Sequence, residues 1–235
     1  VCNSKNEKSK DLRTLYTKFR FFIENGADEI ALLFDDLPNN FKETYDLSIS
    51  EGYAHAYLAN KLSLELKKYI FVVPRIYSDQ LIYEDKNYLL DFKKEIDKNI
   101  ICFYSGKNIV SKSINNYTLQ KTSNIFSSNF VIWDNFYSND YCPRRIFLGP
   151  YYGRNKVQNI MINPTGLIET DLLLLDIVKA TKNSLRPYED WKKILDKHRV
   201  PSQFLDVCNH FLKPDFGDNP VLNKISISKK FLISL

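Results

Sequence analysis

Five short apolar runs alternate with stretches whose apolar residues recur at helical spacing, and this alternation constrains the fold more than any other feature of the sequence. Leu12, Leu15, Tyr16, Phe19, Phe22 and Ile23 form one face of a helix that Asn25-Gly26 stops, and a strand over residues 29–34 follows. The pattern recurs along the chain. Helix 49–66 leads to strand 69–73, helix 88–96 to strand 100–104, and a weaker helix near Leu119 to strand 130–133; strand 159–162 then precedes helix 169–182. These strands read as continuous apolar runs and not as alternating ones, which predicts a parallel sheet covered by helices on both faces.

The fold class expected is therefore α/β, of the (β/α)8 TIM-barrel type. In such a barrel the C-terminal ends of all strands meet at one mouth, where the chemistry is placed. Asp35-Asp36, Tyr77, Gly106, the segment from Asp134 to Asp140, and Asn163 each fall just after a predicted strand. A closed barrel takes eight strands, so about five βα units are present here, resembling the last five, with about three absent. The expected division is residues 1–186 for the C-terminal portion of the barrel and 187–235 for a helical extension, with one helix around Trp191 to Leu195, another after Pro201, and a polar tail.

Composition narrows the classes of function. The 235 residues are 44% hydrophobic, enough for a substantial core, and a net charge of +5 from 33 basic and 28 acidic residues is dispersed and not blocked. Nucleic acid is not an expected partner. Cys2, Cys102, Cys142 and Cys208 make no C-x-x-C pair and no His lies at ligand spacing, so neither a disulfide framework, a metal site nor a cofactor is implied, and reduced thiols suit a cytoplasmic setting. No apolar run approaches the roughly 20 residues of a membrane span, so no membrane partner is expected. Val1 and not Met opens the chain, which places any targeting signal upstream of what is read here. A homodimer is left open.

Two segments carry chemistry. Val131-Ile-Trp-Asp-Asn-Phe-Tyr-Ser-Asn-Asp-Tyr141, followed by Leu148-Gly-Pro-Tyr-Tyr-Gly-Arg154, is too polar for core and too aromatic for an ordinary loop. Pyranose rings stack on aromatic faces and bind carboxylates and amides through their hydroxyls, so this is a candidate sugar pocket; a buried Trp at a loop entrance with polar capping residues is the plainer alternative. Asp35-Asp36 ends a strand ahead of Leu37-Pro38. Adjacent carboxylates share their titration, so one can stay protonated as a general acid while the other is ionised. A helix N-cap plus a turn, or a divalent metal site, are the other readings of the same pair.

The motifs Ile30-Ala-Leu-Leu-Phe-Asp-Asp-Leu37, Val131-Ile-Trp-Asp-Asn135 with Asn139-Asp-Tyr141, Phe147-Leu-Gly-Pro-Tyr-Tyr-Gly-Arg154 and Asn163-Pro164 resemble those of glycoside hydrolase family eighty-four. That family contains the O-GlcNAcases and bacterial β-N-acetylglucosaminidases, and the resemblance runs in order from about Leu12 to Lys182. It implies removal of terminal β-linked N-acetylglucosamine from a glycoconjugate or glycoprotein, by substrate-assisted retaining catalysis through an oxazoline. It further implies that Asp35 orients the 2-acetamido group and Asp36 is the general acid and base. Tyr77 would contact the acetamido oxygen, Trp133 and Asn135 would line the pocket, and Asp140 and Asn163 would bind the hydroxyls at the far side of the sugar. A first strand with glycine and a lysine that the family places earlier are not in this sequence, so a non-catalytic sugar-binding or scaffold remnant of the fold is the alternative. Asn163 before Pro164 also reads as a turn initiator and Tyr77 as a rim packing residue.

The remaining polar residues carry structural expectations. His55 sits mid-helix as a packing or supporting histidine, Arg144, Arg145 and Arg154 solvate loops or pair with local acids, Glu169 and Asp171 open the final barrel helix, and Cys102 and Cys142 fill apolar space.

Overall fold

A computed structural model describes residues 5–41, 49–127, 129–141 and 146–214. Cys2, Cys142, Arg144, Arg145 and the polar tail lie outside the described residues. The elements in chain order are α1 (Lys5–Glu24), β1 (Ala31–Leu33), α2 (Glu51–Leu66), β2 (Phe71–Val73), α3 (Tyr88–Glu95), β3 (Ile101–Tyr104), α4 (Asn116–Phe126), β4 (Phe130–Asp134), β5 (Ile160–Ile162), α5 (Ile168–Thr181), α6 (Pro187–Lys197) and a short α7 (Phe204–Val207). The strands form one sheet in the order β1-β2-β3-β4-β5. Its neighbours β1/β2, β2/β3 and β3/β4 are parallel, with Leu32 opposite Val72, Val72 opposite Cys102, and Phe103 opposite Val131. Between β4 and β5, Ile132 N donates to Asn159 O and Asn163 N donates to Asp134 O, so both indices advance together as a parallel ladder requires.

The chain divides into two compact units. The first comprises the described residues of 1–109, 114–133 and 156–161. Its core is built from the apolar runs of the strands and the inward faces of the helices: Leu32, Val72, Cys102 and Tyr104 from β1 to β3, with Ala59 and Leu62 from α2, and Tyr88 and Phe92 from α3. α1 covers this core with Leu12, Leu15, Tyr16, Phe19 and Ile23 of the stripe read from the sequence, while Phe22, assigned to the same face, is exposed. α2 starts where Ser50 accepts a hydrogen bond from Tyr53 N and ends on Lys67 in the left-handed conformation, whose N–H reaches back to Leu64 O. A smaller cluster of Ile114, Ile132 and Val157 packs around β4.

The second unit comprises the described residues of 110–113, 134–155 and 162–235. Leu173, Leu174 and Ile177 of α5 are buried, as are Trp191 and Leu195 of α6. Trp191 donates its indole N–H to Leu148 O at 2.6 Å, and Leu148 N donates to Phe211 O, which fixes the segment around Gly149. A Cβ on Gly149 would stand 1.8 Å from Leu212 O, so only glycine allows that approach. Asp171 in the first turn of α5 accepts from Thr165 N, Thr165 Oγ1 and Gly166 N, tying the helix start to the loop before it.

Candidate active site

β1 places Asp35 and Asp36. They are the two central residues of a turn that Leu37 N closes onto Phe34 O at 3.2 Å, directly beyond the C-terminal end of the strand. The turn half of the structural reading of this pair is thus present together with the strand-end position that chemistry would need. Asp35 is half-buried and Asp36 exposed. Burial raises the Asp35 carboxyl above its ordinary value, and the neighbouring Asp36 charge adds to this, opposed by backbone hydrogen bonds.

Tyr77 follows β2 and is half-buried, its carbonyl accepting from Ser105 N at 2.7 Å beyond β3. The loop after it is anchored by Asp79, which accepts from Tyr104 Oη at 2.8 Å, pairs with Lys121 at 2.8 Å, and donates its own N–H to Gly106 O. Trp133 is the penultimate residue of β4, half-buried and packed edge-to-face on Phe103 at 5.2 Å. Asp35, Asp36, Tyr77 and Trp133 therefore stand at the C-terminal ends of β1, β2 and β4 in one parallel sheet.

In the second unit the structure brings Asn135, Asp140 and Asn163 together. Asn163 Nδ2 donates to Asn135 Oδ1 at 3.2 Å and reaches Ser138 Oγ at 3.4 Å, while Ser138 Oγ donates to Asp140 Oδ1 at 2.6 Å. Asn135 is buried, Asn163 half-buried and Asp140 exposed, so the cluster runs from the interior to solvent. Ser138 links these three and was not singled out in the sequence; its place two residues before Asp140, a spacing at which short polar side chains bond to one another, was the available signal.

Beneath that cluster lies an ion pair that the sequence reading assigned to a loop. Arg154 is fully buried and donates through Nε to Asp134 Oδ2 at 2.7 Å and through Nη2 to Oδ1 at 3.3 Å. Its other donors go to Lys112 O at 2.6 Å, Tyr152 O at 3.0 Å and Ser111 O. Asp134 also accepts from Tyr151 Oη at 2.6 Å and Phe136 N at 3.1 Å, so both charges are saturated by partners. Arg154 is thus no solvated loop residue: its acid stands 20 positions away in sequence, and the guanidinium stacks over Phe136 at 4.7 Å. Tyr137 Oη donates to Gly149 O at 2.8 Å, completing a floor that holds residues 134–138 in place.

His55 is buried and neutral, as a packing histidine should be; burial and the nearby Arg75 charge push its pKa down to about 3. Among the described residues no three His, Cys, Asp or Glu side chains gather in the manner of a metal centre, and no helix is long and apolar enough to cross a membrane.

Parallel strands, covering helices and polar side chains on the loops after the strands are the layout of the (β/α)8 class, of which this chain carries five strands, four of them each followed by a helix among the described residues. Comparison with known proteins narrows the class to one family. A sequence model described as beta-N-acetylglucosaminidase matches residues 1–193, and the chain belongs to that family, glycoside hydrolase family eighty-four. The mouse and rat proteins named Protein O-GlcNAcase are each 27% identical over 195 residues, covering 75% of this chain and 21% of their own length. The chain thus spans about a fifth of the length of these curated relatives. Among solved structures, CpGH84B superimposes with a TM-score of 0.73 at 20% identity over 94% of this chain and 41% of its own. A mutant of the Thermobaculum terrenum O-GlcNAc hydrolase gives 0.69 at 23% identity over 85% of this chain and 46% of its own. Both show the same fold.

Proposed function

We propose that this chain carries the catalytic pair of a glycosidase that removes terminal β-linked N-acetylglucosamine from a glycoconjugate or glycoprotein, a reading in keeping with relatives named Protein O-GlcNAcase and O-GlcNAc hydrolase. The observation that carries the reading is the Asp35-Asp36 turn at the end of a parallel strand, in a chain whose family match spans both motif-bearing segments. The proposed reaction is substrate-assisted. The acetamido oxygen attacks the anomeric carbon while Asp36 gives its proton to the departing glycosidic oxygen, so that the C–O bond breaks and an oxazoline forms, its nitrogen proton taken up by the Asp35 carboxylate and returned when the ring opens. The Asp36 carboxylate then takes a proton from water, whose oxygen adds to the anomeric carbon and opens the oxazoline with net retention. No protein nucleophile is required, unlike the retaining route through a carboxylate.

Asp35 accepts the acetamido N–H in this scheme and steers its oxygen toward the anomeric carbon. Its desolvated position makes that hydrogen bond stronger than it would be in water. Tyr77 contacts the acetamido oxygen, Trp133 and Asn135 line the pocket, and Asp140 and Asn163 take sugar hydroxyls, the preformed hydrogen bonds that join Asn163 to Asn135 directly and to Asp140 through Ser138 reducing the cost of ordering them. The scheme uses no cofactor. We also propose residues 1–186 as the barrel portion and 187–235 as a helical extension, and a cytoplasmic setting.

Hydrolysis of a fluorogenic β-N-acetylglucosaminide by the folded 235-residue chain tests the reading. Turnover that falls by about 10²- to 10⁴-fold in Asp36→Asn supports it, because that is the range a positioned general acid contributes. A folded parent that binds sugar and does not turn over would overturn it in favour of a non-catalytic sugar-binding remnant of the fold.

A further inference from the structure

The turn that carries Asp35 and Asp36 rests on a buried polar assembly that the proposed reaction does not use. His55, from the middle of α2, stacks face to face on Phe34, with ring centres 4.0 Å apart and planes 5° from parallel. Phe34 is the residue whose carbonyl closes the aspartate turn, and its N–H is bonded to Val73 O. The ring of Phe41, beyond the turn, meets the same imidazole edge-to-face at 6.0 Å. One histidine therefore touches the residues flanking the catalytic segment on both sides.

The imidazole is itself held in a single orientation. Tyr88 Oη lies 2.9 Å from His55 Nδ1 and 3.0 Å from the backbone N of Arg75. An amide N–H can only donate, so the phenol oxygen accepts from Arg75, and because Tyr88 is fully buried the arrangement that gives its own proton an acceptor points that proton at Nδ1. His55 must then be the tautomer protonated on Nε2, which faces Glu51 Oε1 at 3.9 Å. Arg75 is fixed in turn by Glu51, which takes Nε at 2.6 Å and Nη2 at 2.8 Å, and by Glu84, which takes Nη1 at 2.6 Å. Glu51, His55, Arg75 and Tyr88 are all nearly or fully buried. Arg75 lies two residues before Tyr77, so the same assembly grips the segments after β1 and after β2.

We propose that His55 is a positioning residue for the Asp35-Asp36 turn, keyed by Tyr88 to the Arg75 backbone, so that α2 and α3 set the direction in which the general acid presents its proton. The inference rests on the function proposed above. A supporting residue with only a packing role would lower stability and leave the chemistry alone, whereas a misplaced acid harms most those substrates whose leaving group needs protonation. Asp35 is raised by desolvation, so a loosened turn also lets water reach it.

The test compares His55→Ala, which removes the stack, with His55→Phe, which keeps the stack and loses the acceptor, and with Tyr88→Phe, which loses only the hydroxyl. Each is assayed against aryl β-N-acetylglucosaminides with good and poor leaving groups. In His55→Ala, kcat should fall about 10- to 100-fold for the poor leaving group and no more than about threefold for the good one, with KM little changed, the size expected for a misplacement of about 1 Å. His55→Phe should recover part of the loss, and Tyr88→Phe should lose at least as much as His55→Phe, since it cuts the same bond to His55 and also strands the Arg75 backbone N–H. Equal losses for the two leaving groups, or none, in folded His55→Ala protein overturn the proposal. A parent without turnover, or one indifferent to Asp36→Asn, counts against the proposed function alone, and carboxyl NMR then decides the inference. Asp35 should titrate lower in His55→Ala than in the parent, and an unmoved Asp35 titration overturns the positioning role.

Discussion

Arg154 and Asp134 show how much a single buried charge can matter in this chain. Both are removed from water, and each carries hydrogen bonds beyond the pair, so deleting one partner strands the other in a low-dielectric site. Arg154→Met should destabilise the protein by about 3–5 kcal/mol in denaturant unfolding, and Arg154→Lys should fail to restore it, because an ammonium cannot present the fork that reaches both carboxylate oxygens and the carbonyls of Lys112 and Tyr152. Full stability in either variant would contradict this account. At the other carboxylate pair the expected effect is on titration. Asp35 is raised first by burial and less by the Asp36 charge, so Asp36→Asn should lower the Asp35 pKa only slightly. In the proposed reaction Asp35 must be ionised to accept the acetamido N–H, so that acceptance is lost as pH falls and the acid limb of kcat/KM should lie above the ordinary aspartate range. The sequence displayed the candidate carboxylates, amides and aromatics because they sit beyond apolar strands. It concealed the Asp134–Arg154 and Glu51–Arg75 pairs, whose partners are 20 and 24 residues apart and whose burial depends on tertiary packing.

At the scale of elements, periodicity was informative wherever burial is one-sided. The stripe from Leu12 to Ile23 is the face of α1 that meets the core, and the helices expected over 49–66, 88–96 and 169–182 coincide closely with α2, α3 and α5. Four of the five strands were read too long and β4 one residue too short: the run over 29–34 is a strand only over Ala31–Leu33, although Ile30 O and Phe34 N still bond to Phe71 N and Val73 O and both side chains face the core. α1 begins earlier than its apolar stripe, at Lys5, because polar residues extend a helix without leaving a periodic signal. No pattern flagged Gly52. A Cβ there would lie 2.1 Å from Tyr88 O and 3.0 Å from Phe92 N, so α2 and α3 approach backbone to backbone at this glycine. Gly52→Ala gains helix propensity on α2 yet must part the two helices. The expected outcome is a loss of at least about 1–3 kcal/mol in denaturant unfolding, against the gain of up to about 1 kcal/mol that an uncrowded helical glycine would give.

Across the whole molecule, the fold class was legible because five apolar runs alternate with helical stripes, which is the order of parallel βα architecture, although burial on both faces is not met at the sheet edges, where Leu33 of β1 and Met161 of β5 are exposed. The division into two compact units was not, since residues 134–155 and 156–161 fall on different sides of it and no change of composition marks the switch. Cys102 gives a way to follow opening of the first unit. It lies in the middle strands of the sheet, 1% exposed, and burial pushes its thiol up to about 12, so at pH 8 the native protein holds almost no reactive thiolate there. Cys208 is only partly buried. In pulsed alkylation read by mass spectrometry, Cys208 should be modified early, and Cys102 only in molecules that have opened the sheet. Introducing Gly52→Ala should then speed Cys102 labelling about tenfold for each 1.4 kcal/mol lost, while Cys208 labelling stays the same. Cys102 modified in step with Cys208 in the parent would mean that the β2-β3-β4 packing opens far more readily than its burial implies, and would remove the basis for treating the first unit as one cooperative core.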